Sequence, residues 1–159
     1  MERATKFWIA FVIGATLSFT NIVAPVHELG HLAMANKFND EAQITSWNTT
    51  RVEIRLSHAY AGWWFEIWMF VLLGIFVLPA TAWAGAAIGY AQLSWFRAFG
   101  SSDFNSYVTK VIEHYNLHGV TAQNIRSAVV NGWLWRGIIL FVIVYVIVYF
   151  MIKKPVKPA

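Results

Sequence analysis

The sequence predicts an all-α membrane protein: about four transmembrane helices, with a small β-hairpin after the first span and a surface helix before the last. Three observations lead there. Hydrophobic residues fill 58% of the 159 positions and charged ones only 13%, with a mean hydropathy of +0.50, outside the usual soluble range. The apolar residues gather into runs as long as the ~20-residue helix that crosses a bilayer core of about 30 Å. The polar stretches between them carry strand-like and helix-like periods. One integral membrane domain over residues 1–159 uses up the chain, so substrate or partner must meet the membrane portion.

The first apolar segment runs from about Phe7 through APVHELGHLAMA and is read as one span over residues 7–35. At 1.5 Å per residue, His27 then lies about 30 Å along the helix from Trp8, near the far face of the bilayer. Arg3 and Lys6 before FWIAFVIGA mimic a secretory signal, but no clear small-x-small cleavage site follows, so the segment is read as a retained span. Residues 36–58 turn polar, and Val52, Ile54 and Leu56 alternate with Arg51, Glu53 and Arg55. That alternation predicts a strand over 51–57, paired with one over 43–47. Asn48-Thr49-Thr50 matches a glycosylation acceptor and is read as a chance match in a bacterial or archaeal chain.

Residues 63–99 form the longest apolar tract, and one straight helix of that length would reach about 55 Å. The tract must fold back, giving spans at about 63–81 and 84–99, with Pro79 and the stretch ATAWAGAAIG as the place to turn. Beyond it, Ser101 or Ser102 can cap a helix, and Val108, Val111, Ile112 and Tyr115 recur at helical spacing. The last span, at about 133–152, opens on Trp133 and Trp135 and closes on Lys153-Lys154, before a KKPVKP tail that reads as a disordered end.

Four spans put both termini on one side. Arg3, Lys6, Lys153, Lys154 and Lys157 cluster there and mark it as cytoplasmic. The exit of the HELGH segment, the hairpin and Asp103 then share the opposite side. The net charge of +4 flanks apolar runs and forms no basic face with interleaved aromatics, which argues against nucleic acid as a partner. With no cysteine, disulfides, iron–sulfur clusters and thiolate zinc sites are excluded, so any metal must be held by imidazole and carboxylate.

His27-Glu28-Leu29-Gly30-His31 fits H-E-x-x-H, in which histidines at i and i+4 share a helical face and can bind one ion. Glu28 stands one residue past the first ligand, where it can reach a water without ligating the metal. Zinc lowers the pKa of such a water toward neutrality, and the glutamate takes its proton as it attacks a peptide carbonyl. The bland alternative is a pair of helix-end histidines meeting water or headgroups while Glu28 pairs with Lys37 or an arginine. Ionisable groups at membrane depth favour the functional reading. A catalytic zinc site needs a third protein ligand. Asp103, one of two aspartates, follows the third span on the right side; Glu66, Glu53 and His58 compete with it. His114 and His118 form a second i, i+4 pair, but in a polar segment, where exposed helix residues are expected and a second metal or haem site is the lesser reading.

These residues resemble the site-2 protease family of intramembrane zinc metalloproteases. The resemblance rests on HELGH within a membrane helix, the short strand-forming segment after it, and a later span ending near an aspartate. It implies zinc held by His27, His31 and Asp103, with Glu28 activating water to cut membrane-embedded or membrane-adjacent segments. The aspartate here stands in GSSDFN, whereas the family usually has L-D-G or N-P-D-G. A second hypothesis is a non-catalytic membrane subunit that uses the same residues as a structural metal or proton site in a larger complex. The nine tryptophans offer area for lipid, a second copy or a partner chain.

Overall fold

Pro25 reshapes the first predicted span. It has no N–H to donate, and in a continuous helix its ring would collide with the carbonyl of Asn21. In the computed structural model, which describes residues 2–52, 55–77 and 82–153, the run is accordingly two helices: α1 (Arg3–Leu17) and α2 (Ala24–Phe38). Pro25 sits in the first turn of α2, where a missing N–H costs nothing. The freed Asn21 carbonyl accepts from the Ala24 N–H at 3.2 Å and from the Trp47 indole at 3.1 Å. The HELGH segment thus begins a helix of its own, and the expected 30 Å separation along one axis does not apply.

Helix α2 ends at Asn39, whose left-handed backbone (φ 55°) lets the Asp40 N–H reach the Ala35 carbonyl at 3.0 Å. Strands β1 (Ala42–Ser46) and β2 (Thr49–Val52) follow as an antiparallel hairpin that pairs Ala42 with Val52 and Ile44 with Thr50. The hairpin lies where expected, but β2 begins two residues before the predicted strand, and Leu56 opens a helix. Arg55 and His58 meet Asp40, the guanidinium at 2.9 Å and the imidazole at 3.5 Å, and pin the hairpin root to that helix.

Helix α3 (Leu56–Leu72) continues through a π-helical turn (Leu73–Val77), and helix α4 (Ala82–Arg97) leads into a short 3-10 turn (Ala98–Gly100). From Ala82 on, the described residues of ATAWAGAAIG are helical: Gly85 and Gly89 lie one helical turn apart within α4 and let α1 approach its backbone. A Cβ at Gly85 would overlap the Phe7 carbonyl, and one at Gly89 the Phe11 carbonyl. Pro79 lies outside the described residues.

Helix α5 (Ser102–His114) is capped by Ser101, whose hydroxyl accepts from the Phe104 N–H. It buries Phe104 and Val108, but Tyr115 falls beyond its end and is exposed. Helix α6 (Gly119–Lys153) starts well before the predicted span and is about 52 Å long. Its Trp133 stacks on Trp95 of α4 with ring centroids 4.0 Å apart, and each indole N–H donates to the other residue's carbonyl, at 2.8 and 3.0 Å. The KKPVKP tail, past Lys153, lies outside the described residues.

The described residues are mostly helical with one two-stranded sheet. Among them two helices, Ser57–Val77 and Gly119–Lys153, are long and apolar enough to cross a membrane, against the four spans expected. Helices α1 and α4, of 15 and 16 residues, fall short: α1 gives way to tight turns after Leu17, before Pro25 opens the next helix, and the 3-10 turn ends α4. Both α1 and α6 nonetheless turn large apolar side chains outward, among them Trp8, Val12 and Ile13, and Ile139, Val142 and Phe150.

Candidate metal centre

The first turns of α2 place His27 and His31 on one face, and both rings are buried. Their Nε2 atoms lie 3.2 Å apart. Asp103, in the first turn of α5, completes a triangle: its Oδ2 is 3.2 Å from His27 Nε2 and 3.7 Å from His31 Nε2. The N-terminal end of α5 favours a carboxylate at that position. Burial works against the charged form of Asp103. Hydrogen bonds from His27 and His31, and their charge, outweigh it and hold the carboxyl well below the usual carboxylate range.

This donor set fits a zinc ion. Donors bound tetrahedrally at about 2.0–2.1 Å stand about 3.3–3.4 Å from one another, and the three observed separations straddle that value. Three lone-pair atoms pointed together repel unless a cation or proton lies among them. Among the described residues no fourth His or carboxylate joins the group, and three protein donors is the complement of catalytic rather than structural zinc. An adjoining cavity of about 260 Å³ is lined by Glu28, His31, Asp103 and the hairpin residues Asn48, Thr49 and Thr50. A second cavity is lined by His27, Trp63, Glu66 and Tyr90. Glu28 and Asp103 border both cavities, and Glu28 is buried.

Three of the four predicted site residues, His27, His31 and Asp103, thus converge, and Glu28 borders the cavity beside them. Glu66 and His58 make other contacts. Glu66 lies behind His27, with Oε2 3.1 Å from Nδ1, the nitrogen facing away from the triangle. His58 is buried against Asp40, and Glu53 lies outside the described residues. His114 ends α5 while His118 precedes α6; both are exposed and share no helix.

No family model, curated protein or solved structure matches this chain. The site must therefore be read from its own geometry.

Sequence reasoning missed three contributors. Gly62 faces the His27 ring so closely that a Cβ there would stand 2.5 Å from the imidazole. Trp63 packs edge-on against the same ring at 4.6 Å. Ser94 donates to Glu66 Oε1 at 3.1 Å. A serine inside an otherwise apolar run was a visible signal for the last of these; the other two carry none.

Proposed function

We propose that this chain is a zinc-dependent intramembrane endopeptidase of the site-2 protease type. The observation that supports it most is the meeting of His27 and His31 with Asp103, which lies 76 residues beyond His27, in a triangle of metal-ligand dimensions beside a buried glutamate. When bound, zinc supplies a Lewis acid that activates water and polarises a carbonyl. His27, His31 and Asp103 hold the ion. Glu28 takes the proton of the attacking water and passes it to the departing amine, the work of a general acid–base group. The cavity that opens past Asn48, Thr49 and Thr50 admits the peptide, and the free edge of the hairpin holds it extended by strand pairing. Helices α1 and α4, each shorter than a full span, cross where the bilayer thins around them, as a close-packed pair alongside α3 and α6. The protein is thereby multi-pass, in a bacterial or archaeal cell membrane, with both termini cytoplasmic.

The alternative, a non-catalytic subunit with a structural metal, calls for a closed set of four protein ligands; three donors and an adjoining cavity favour the enzyme. The test combines metal and turnover. Elemental analysis of the purified protein should find one zinc per chain, lost in both His27→Ala and Asp103→Ala. Quenched fluorogenic peptides of apolar sequence, presented in detergent micelles, should be cut by the wild type. Glu28→Gln should keep its zinc and lose at least about 100-fold in rate, the size of a general-base contribution. Cleavage at the wild-type rate by that variant overturns the mechanism.

A further inference from the structure

Glu66 stands within a span and is only 4% exposed. A carboxylate in such a place is costly unless its oxygens are bonded. Both are: Oε1 accepts from the Ser94 hydroxyl at 3.1 Å, and Oε2 lies 3.1 Å from His27 Nδ1. Ser94 itself is completely buried in α4, so the contact joins α3 to α4 directly behind the donor triangle. Glu66 cannot be a fourth ligand of that triangle, because the two ring nitrogens of His27 point away from one another. An ionised carboxylate only accepts hydrogen bonds, so the proton of a neutral His27 sits on Nδ1 and the lone pair on Nε2. That is the nitrogen turned toward His31 and Asp103.

Resting on the metal-site reading above, we propose that Glu66 is a positioning residue: steadied by Ser94, it fixes the tautomer and aim of His27 and makes Nε2 a stronger donor to the ion. A carboxylate behind a ligating imidazole acts in this way at metal centres generally. Charge gives it a second task. Asp103 and Glu66 together bring two negative charges to a divalent cation, so the occupied centre is neutral before Glu28 is counted, which suits a setting poor in water.

The test is zinc affinity, measured by competition with a chromophoric chelator on the full-length protein in detergent. Glu66→Gln should weaken binding by about 10–100-fold, the usual cost of losing such a support. Ser94→Ala should weaken it less and in the same direction, and it carries the test if the Glu66 variant does not fold. In the zinc-loaded wild type the Nδ1–H proton of His27 should resonate at low field, as a hydrogen bond to a carboxylate shifts it, and it should move upfield in Glu66→Leu. A structural role alone would lower thermal stability and leave affinity and that proton shift unmoved; that result, with zinc bound normally to the wild type, overturns this inference alone. Absence of zinc from the wild type overturns both this inference and the metal-site reading.

Discussion

His27 is held from three sides: Glu66 at Nδ1, the Trp63 edge against the ring, and the bare backbone of Gly62 beneath it. The last support gives a sharp expectation. In Gly62→Ala the new methyl carbon would sit at 2.5 Å from the imidazole, closer than any carbon contact allows, so the ring must swing off its aim. Zinc content should fall several-fold while the circular dichroism of the helices stays unchanged; full occupancy would show that the ring has room to yield. At this scale the sequence was partly legible. HELGH declares itself because ligands at i and i+4 are fixed by helix geometry alone. Asp103 could be reached only through the topology, since α2 and α5 both pack on α3 and it is that shared support which unites the aspartate with the histidines. Glu66 stood out as a charge in WWFEIWMF. Whether it meets the ion or the back of a ligand depends on how α3 packs against α2, which no local pattern encodes.

Two contacts between elements carry the frame that holds the site. Between α4 and α6, Trp95 and Trp133 exchange indole-to-carbonyl hydrogen bonds. Trp133→Phe keeps an aromatic face for stacking and removes one of those bonds, leaving the Trp95 carbonyl to its helical partner. It should cost about 1 kcal/mol, read as a modest drop in the unfolding midpoint in detergent, whereas Trp133→Ala should cost about 3–5 kcal/mol. Between α1 and α4 the spacing is set by backbone. Gly89→Leu drives a side chain into the Phe11 carbonyl and should lower stability by at least about 1–3 kcal/mol, with loss of monodisperse protein on size-exclusion chromatography as the check. A shift no larger than that of a lipid-facing Val12→Leu control would refute the close approach. Helix types and most positions were readable from apolar runs and periods. Of the stretch read with Pro79 as the place to turn, the residues from Ala82 on are helical, since alanine and glycine serve equally for a bend and for close helix contact; residues 78–81 lie outside the described residues. The break before α2 was readable in principle, since Pro25 forbids the bond that a single long helix needs at Asn21.

On the scale of the whole molecule, the outward-facing apolar residues of α1 and α6 suit a hydrocarbon solvent, which is the cover that the proposed function assigns them, since a water-exposed face of that extent would drive association. The cationic ends favour one orientation in it. The chain has no cysteine, so single cysteines can report sidedness without background. If α1 and α2 carry the chain across, Ser46→Cys on the hairpin should react with a membrane-impermeant maleimide in intact cells, and Glu2→Cys only after lysis. Both variants should stay in the membrane pellet after alkaline carbonate washing. Labelling of both from outside would place the hairpin and the amino terminus on one side and break the proposed four-pass arrangement. Labelling of Glu2→Cys alone would preserve the arrangement and invert it, turning the cavity beneath Asn48, Thr49 and Thr50 toward the cytoplasm. The donor triangle survives either orientation, because His27, His31 and Asp103 meet through packing within the chain and not through the direction in which it is inserted.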